Sequence, residues 1–310
     1  MILLCGIPTE SPFALVSRQL DALGFPYVIL DQRAFQHHTL RLELSSGQVS
    51  GELRLGNDGY ALERFSGVYV RLLDYGDLLP RRSEAFDTPE RRRWERLHRL
   101  LGAWLEISTA RVVNRGGAMA SNFSKPAQLQ RIMEHGFDVP ETLTTNDPEL
   151  AKEFLSQYKR IVYKSISSNR SIVRLVEHQD LRRLEEILWC PIQFQAWVEG
   201  IDVRVHTVGS TVYACRIDSA AVDYRYAGRQ GHRADVRAMA LPQALAQRCS
   251  KLAQALGLLF SGIDLRLTAD GRAFCLEVNP SPAYSYYEER TGQPISRSVA
   301  RLLHGEEANH

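Results

Sequence analysis

The fold is decided by the stretch from residue 262 to 280, which reads Gly-Ile-Asp-Leu-Arg-Leu-Thr-Ala-Asp-Gly-Arg-Ala-Phe-Cys-Leu-Glu-Val-Asn-Pro. Asp270-Gly271 predicts a two-residue hairpin turn, because both residues tolerate the positive φ that this turn requires. With the turn there, Asp264 faces Glu277, and Asn279 follows on the same side. A shift of one residue would turn every apolar side chain outward, so the pattern specifies this register. One face is then apolar and belongs on a core, built from Ile263, Leu265, Leu267, Phe274, Leu276 and Val278.

The two facing carboxylates predict a metal site. Like charges directly opposite on paired strands are destabilising, unless a cation or a shared proton lies between them. Asp264, Glu277 and Asn279 offer three hard oxygen ligands, a set that suits Mg²⁺ with positions left for phosphate and water. Two alternatives stay open at this point. The carboxylates simply face solvent, or they share a proton as an acid/base pair.

Two further segments carry candidate phosphate and nucleotide contacts. Lys164 ends an apolar strand, and the small residues after it offer main-chain N–H groups. Asp202 and Arg204 lie on one face of a later strand, where an arginine can neutralise anionic oxygens and the carboxylate can orient it. A solvated lysine and an ordinary surface ion pair are the alternative interpretations of these residues.

Composition narrows the class of protein. The chain has 310 residues, a length that predicts two or three lobes. Its residues are 44% hydrophobic and 24% charged, which is typical of a globular protein. Lys and Arg total 38 against 36 Asp and Glu, a formal charge of +2, so we expect no nucleic-acid partner. The three arginines at 91–93 lie between Glu90 and Glu95 and indicate a solvated helix face.

The same sequence indicates a cytoplasmic protein without a membrane partner. Its apolar runs are shorter than the roughly 18 residues that span a bilayer, and the N-terminus lacks the basic region of a secretory signal. The five cysteines are far apart and show no CxxC spacing, which is typical of reduced, buried thiols.

Hydrophobic periodicity predicts an α/β (α+β) chain in three parts. A strand, a helix that stops at Gly24 and a second strand predict a parallel α/β unit near the N-terminus. Helices are predicted at 89–107, 125–136, 148–158 and 245–256, with strands at 161–164, 192–198, 203–208 and 211–217. We expect an N-terminal lobe over 1–115, a central subdomain over 116–192 and a C-terminal subdomain with the metal site over 193–310.

The order of these pieces resembles the ATP-grasp superfamily, and within it the RimK-type and microviridin-type (graspetide) ligases. The resemblance covers roughly residues 115–303. The general match rests on Lys125 opening a helix, the 136–142 turn, Lys164, the 195–198 segment, Asp202-Val203-Arg204, Asp264 and Glu277-Val278-Asn279-Pro280. The microviridin subgroup is indicated by residues 142–148, 217–219, 223–225 and 286–295. The fold implied is an ATP-grasp fold preceded by an α/β lobe.

The resemblance also implies a role for each matching residue. Lys125 and Lys164 would contact ATP phosphates, and main-chain groups of Ala196 and Trp197 would hold the adenine edge, with Asp202 near the ribose. Arg204 and Arg225 would neutralise the transferred phosphoryl group. Asp264, Glu277 and Asn279 would bind Mg²⁺, with two ions expected and Mn²⁺ as an alternative metal. The implied reaction joins a carboxylate donor to an amine acceptor, a small molecule or a peptide, through an acyl phosphate.

The sequence departs from the family pattern in three places. The loop after Lys164 lacks glycines, Ala196 replaces an acidic residue, and the stretch 225–235 does not align. We expect the acceptor to enter near Arg71 and that stretch. An ATP-grasp kinase for a small molecule and a non-catalytic ATP-binding regulator are the rival functions, and a homodimer is the default oligomeric state.

Overall fold

The computed structural model describes residues 1–74, 78, 88–166, 172–219, 221, 222, 224 and 234–306, with the main chain alone at 122 and 123. The strands are β1 (Ile2–Gly6), β2 (Tyr27–Asp31), β3 (His38–Ser45), β4 (Gln48–Leu55), β5 (Asp58–Ala61), β6 (Gly67–Arg71), β7 (Arg111–Val113), β8 (Thr142–Thr145), β9 (Ile161–Ser165), β10 (Arg174–Leu175), β11 (Ile192–Ala196), β12 (Ile201–Val208), β13 (Thr211–Ser219), β14 (Ala234–Met239), β15 (Phe260–Leu267) and β16 (Ala273–Asn279). The helices are α1 (Ser11–Leu23), α2 (Pro89–Ile107), α3 (Gly116–Met119), α4 (Lys125–Glu134), α5 (Pro148–Gln157), α6 (His178–Leu181), α7 (Gln243–Ala255), α8 (Ser285–Thr291) and α9 (Ile295–His304). Short 3₁₀ helices cover Gln32–His37, Leu62–Arg64, Ala120–Phe123 and Leu184–Leu188.

The N-terminal lobe is built on a parallel sheet with the strand order β2-β1-β6-β7. The predicted strand–helix–strand unit is confirmed, since β1 pairs in parallel with both β2 and β6. Helix α1 ends at Gly24, whose φ of 69° is the left-handed conformation that closes a helix. One face of the parallel sheet forms a core with α2 and with a separate antiparallel sheet, β3-β4-β5. This core contains Trp104 and Phe65.

The central sheet has the order β10-β9-β11-β8, and its two faces differ in character. One face packs with α5 and the 3₁₀ helix at Leu184–Leu188 around a small core that contains Phe194 and Ile161. The other face carries Lys164, Gln193 and Gln195, which alternate with the core residues. Because β11 pairs with both β8 and β9, the expected limit between 192 and 193 falls at the start of a strand of this sheet. We place that limit instead between residues 196 and 201.

The C-terminal sheet has the order β14-β13-β12-β15-β16 and is antiparallel throughout. Helices α4 and α7 cover one face, with Ile132 and Leu252 in the largest core. The outer edge of β16 is covered too, because the buried amide of Gln128 donates to the Val278 carbonyl at 2.8 Å and accepts from its N–H at 3.0 Å. Helix α9 and α1 join this sheet to the N-terminal lobe in a second core.

Two buried polar side chains fasten the N-terminal lobe to the C-terminal sheet. The Asn114 amide donates to the carbonyls of Phe260 and Pro280, each at 2.6 Å, and accepts from the N–H groups of Leu259 and Phe260. Arg71 donates to Glu10, to Ser281 Oγ and to the Pro282 carbonyl. Its side chain is only 9% exposed, so Arg71 joins the lobes, and the acceptor entrance near it stays a prediction. Within the described ranges, no helix is long and apolar enough to cross a bilayer.

Candidate active site

A cleft lies between the polar face of the central sheet and one face of the C-terminal sheet. It holds about 750 Å³ of space, including the part open to solvent. The predicted site residues among its walls are Lys164, Ala196, Trp197, Asp202, Asp264 and Glu277. The structure therefore brings together residues that are more than a hundred positions apart in the chain.

The predicted carboxylate pairing is present on β15 and β16. Asp264 lies directly opposite Glu277, and Ile263 opposite Val278. Closer to the turn the register differs from the prediction. A bulge follows Asp264, after which Leu265 faces Cys275 and Leu267 faces Ala273.

The turn itself explains this difference. Its tip has three residues instead of two, since Thr268 donates its N–H to the Arg272 carbonyl and accepts from the Gly271 N–H. Gly271 has a φ of 85°, as expected for a three-residue hairpin loop. The extra residue is taken up at the bulge, so the prediction that Phe274 and Leu276 share the apolar face with Leu265 is wrong. Cys275 and Ala273 enter the core instead, and Leu276 lines the cleft.

The oxygen atoms on this strand pair suit a hard divalent cation. In the described part of the chain, no three His, Cys, Asp or Glu side chains are grouped as metal ligands, so a cation here would rely on two carboxylates and the amide oxygen of Asn279. Asn279 faces Gly262, one pair beyond Ile263 and Val278, and its Oδ1 accepts from the Ser281 N–H at 2.9 Å. That amide oxygen has a second lone pair. Carboxylate and amide oxygens are the donors that Mg²⁺ prefers.

Two buried lysines carry positive charge, Lys164 in the cleft wall and Lys125 against the chain next to it. Lys164 on β9 is 5% exposed, and its Nζ lies 4.0 Å from Glu277 Oε2. Lys125, the first residue of α4, is 4% exposed and donates to the carbonyl of Ser165 at 3.1 Å. The Lys125 ammonium therefore contacts the residue that directly follows Lys164 in the chain. Lys125 itself is not part of the cleft wall.

The segment predicted to hold the adenine edge is engaged in the protein's own hydrogen bonds. The Ala196 N–H donates to the Glu141 carbonyl at 2.9 Å, and the Trp197 N–H donates to the Arg160 carbonyl at 2.8 Å. These two N–H groups therefore do not point into the cleft, and a role for them in reading adenine is not supported. The cleft residues Ala196 and Trp197 still offer main-chain carbonyls, and Val198 offers its N–H.

Arg266 belongs to this site although sequence reasoning missed it. It faces Asp202 in the sheet register and donates from Nη2 at 2.6 Å and Nε at 2.9 Å to one oxygen of Asp202. Its Nη1 also donates to the Val198 carbonyl at 2.9 Å. The guanidinium groups of Arg266 and Arg160 lie 4.4 and 4.1 Å from the centre of the Trp197 ring, within cation–π range. Asp202 and Trp197 are thus held by a shared arginine.

Arg204 on β12 is buried behind the metal candidates. Its Nη1 donates to Asp264 Oδ1 at 2.8 Å and its Nε donates to His206 Nε2 at 3.4 Å. Burial would lower the pKa of Arg204, but the negative charge of Asp264 raises it above its usual value, so the guanidinium stays charged. Arg225, the second predicted catalytic arginine, lies outside the described residues, as does most of the 225–235 stretch.

Sequence comparison identifies the family. A family model described as the RimK-like ATP-grasp domain matches residues 122–303, which is more than half of the chain. The chain belongs to the RimK-like ATP-grasp family. The predicted superfamily and fold class are confirmed. Among curated proteins, no relative matches the sequence.

Solved structures extend the similarity of this RimK-like protein to its full length. The ATP-grasp ligase PsnB, complexed with minimal precursor, Mg and ADP, is 27% identical with a TM-score of 0.80, over 97% of this chain and 96% of PsnB. The macrocyclase MdnC from Microcystis aeruginosa MRC, bound with precursor peptide MdnA, is 24% identical with a TM-score of 0.79 over 98% and 99%. A Chryseobacterium gregarium RiPP-associated ATP-grasp ligase, in complex with ADP and a leader and core peptide, is 22% identical with a TM-score of 0.79 over 97% and 96%. The last two share the fold.

Three further polar residues lie in or behind the RimK-like cleft, and the sequence did not reveal their contacts. Tyr224 lines it, and Tyr287 and His206 lie behind Asp264 and Arg204. Their contacts join β12, α8 and the chain after β13, so no spacing within a single segment of the sequence could predict these contacts. Arg266 was detectable, since it lies two residues after Asp264 on the same face of a strand.

Proposed function

We propose that this protein is an ATP- and Mg²⁺-dependent carboxylate–amine ligase that acts on a peptide through an acyl phosphate. The observation that carries the proposal is the meeting of Lys164, Asp264 and Glu277 in one cleft of a RimK-like ATP-grasp fold. Full-length similarity to PsnB, a ligase complexed with a precursor, Mg and ADP, supports both the nucleotide and the peptide.

The residues of the cleft fit the demands of phosphoryl transfer, which are positioning and neutralisation of charge. Lys125 and Lys164 would neutralise nucleotide phosphates at the end of the cleft where Glu277 lies. Asp264, Glu277 and Asn279 would hold Mg²⁺, which when bound screens the charge of the phosphate oxygens. Arg204 keeps its charge beside Asp264 and adds to the positive potential there.

The reaction proceeds in two balanced steps. A substrate carboxylate oxygen attacks the γ-phosphorus of ATP and releases ADP, which gives an acyl phosphate. The acceptor amine then attacks the acyl carbon, the amine proton is lost, and inorganic phosphate leaves. Positively charged side chains stabilise both leaving groups, and Arg225 would contribute at this stage.

Several finer points belong to the same proposal. We expect two metal ions, with Mn²⁺ able to replace Mg²⁺, because both are hard cations that take oxygen ligands. All five cysteines are free thiols and four of them are buried, which supports a reducing, cytoplasmic compartment. A homodimer is the expected oligomeric state.

The test is mass spectrometry of synthetic peptides that contain Asp or Glu together with Lys, incubated with the protein, ATP and Mg²⁺. Ligation within a peptide removes the mass of one water and releases ADP and phosphate in equal amounts. Hydroxylamine added to the reaction would trap the acyl phosphate as a hydroxamate. Asp264→Asn serves as the inactive control.

Two results would favour the rival functions. A peptide or small molecule that keeps one phosphoryl group, with ADP but no free phosphate, indicates a kinase. Binding of Mg²⁺–ATP without turnover, together with an unchanged biological role for Asp264→Asn, indicates a regulator.

A further inference from the structure

We propose that Tyr224 is a positioning residue for the metal-binding carboxylate of Asp264, supported from behind by Tyr287. The inference deepens the proposed function, because it takes Asp264 to be a ligand of the cation. It concerns how the protein orients that ligand before the cation and the nucleotide bind.

One carboxylate oxygen of Asp264 accepts hydrogen bonds from both Tyr224 and Arg204. The Tyr224 hydroxyl donates to Asp264 Oδ1 at 3.1 Å, and Arg204 Nη1 donates to the same oxygen at 2.8 Å. Two donors from different directions fix the rotation of the carboxylate about its Cβ–Cγ bond. That rotation decides where the second oxygen, Oδ2, points.

Tyr287 completes the chain of hydrogen bonds. Its hydroxyl donates to the Tyr224 hydroxyl oxygen at 3.2 Å, so the single hydrogen of Tyr224 is directed to Asp264. Tyr287 is 6% exposed and packs with Cys215, Ile217 and Val236, with Tyr224 against the same cluster. The ring of Tyr287 also lies 5.7 Å from the Arg204 guanidinium. The aromatic pair is therefore held by the core of the C-terminal sheet.

Arg204 and Tyr224 differ in charge, and this gives Tyr224 a function of its own. Arg204 brings a full positive charge, which opposes a cation at the same carboxylate. Tyr224 orients the carboxylate without that opposing charge. Partners that orient a ligand in this way affect metal affinity by about ten- to a hundredfold when they are removed.

The experiment measures metal binding directly, so it does not depend on turnover. Mn²⁺ is titrated into the full-length protein with ADP present, and free Mn²⁺ is followed by electron paramagnetic resonance. Tyr224→Phe is expected to weaken Mn²⁺ binding by about tenfold, and Tyr287→Phe by a smaller factor. Tyr286→Phe is the matched control, since Tyr286 is 39% exposed. This variant should bind Mn²⁺ with the affinity of the wild type.

The outcomes separate this inference from the proposed function. Wild-type affinity in Tyr224→Phe would overturn the inference, even if ligation is observed. A tenfold loss would support it even if no peptide is ever ligated, because binding alone is measured. Should Tyr224→Phe fail to fold, Tyr287→Phe decides, since it removes a donor to Tyr224 and leaves the Tyr224 ring in place. Wild-type affinity in that variant would then contradict the chain of hydrogen bonds.

Discussion

The ammonium of Lys164 lies 4.0 Å from the carboxylate of Glu277, across the cleft between the central and C-terminal sheets. Lys164 is 5% exposed and comes from β9, whereas Glu277 comes from β16. Opposite charges in a sparsely solvated cleft attract more strongly than on the surface. The two sheets therefore meet at the point where the nucleotide phosphates and the cation are proposed to bind.

Replacing Lys164 with methionine should weaken ADP binding in the presence of Mg²⁺ by about tenfold or more, because a hydrogen bond to a charged group contributes about 1.5–3 kcal/mol. Isothermal titration calorimetry measures this affinity. Lys152→Met is the control, since Lys152 is exposed on α5 and pairs with Glu149, and it should bind ADP normally. Equal affinities for the two variants would contradict the proposed role of Lys164.

Gly262→Ala should displace Arg204. A β-carbon at residue 262 would overlap Nη2 of Arg204 and would lie 2.8 Å from Cβ of Pro282. We expect the free energy of unfolding to fall by about 1–3 kcal/mol, the usual cost of overpacking, with ATP turnover reduced as well.

Gly102→Ala is the matched control. An added carbon there meets nothing within 4 Å, so the substitution within helix α2 should stabilise the protein by about 0.5–1 kcal/mol. Urea unfolding measures the free energy of unfolding of both variants. A wild-type value for Gly262→Ala would show that Arg204 is loosely held.

The buried amides of Gln193 and Gln195 should respond in opposite ways to replacement by methionine. Among the residues that the structure describes, no hydrogen-bond partner faces either amide atom of Gln193, and the residue is 1% exposed. Removing an unpaired buried polar group relieves its desolvation cost, so Gln193→Met should stabilise the fold by about 1 kcal/mol. Gln195 donates to Thr142 Oγ1 at 3.0 Å, so Gln195→Met should destabilise it by a similar amount. Thermal unfolding measures both, and a destabilised Gln193→Met would indicate that the amide is satisfied by a bound water.

His206 should make the protein sensitive to acid. Burial and the neighbouring charge of Arg204 hold the pKa of His206 well below its usual value of 6.5, whereas the unfolded chain protonates this side chain normally. The unfolded state therefore binds more protons below pH 6.5. As the pH is lowered through this range, the free energy of unfolding decreases by up to about 1.4 kcal/mol per pH unit. His206→Gln should reduce that slope. Denaturant titrations between pH 7 and 5 test it, and identical slopes for variant and wild type would refute it.

The sequence was most informative where contacts are local. Asp270-Gly271 and the alternation on either side correctly placed Asp264 opposite Glu277. The same stretch did not predict the third residue in the turn or the bulge, because the bulge depends on how β16 packs against α4 and the Asp138 main chain.

Residues joined by long-range packing escaped prediction for a physical reason. The Tyr224–Tyr287 hydrogen bond links positions 63 residues apart, and nothing in the sequence near either tyrosine specifies the other. Main-chain groups of Ala196 and Trp197 were assigned to adenine, yet neighbouring chain segments accept hydrogen bonds from both of their N–H groups. The partner of a main-chain N–H group can be assigned only when all neighbouring strands of the sheet are known.

The buried Asn114 amide has a mechanical consequence. Its four hydrogen bonds and the shared core with α9 make the N-terminal lobe and the C-terminal sheet a single rigid base. The central sheet has its own core and joins that base through the chain at 139–142 and 196–201. Any widening of the cleft thus means moving the central sheet away from that base, which would stretch the bridges Lys164–Glu277 and Lys125–Ser165.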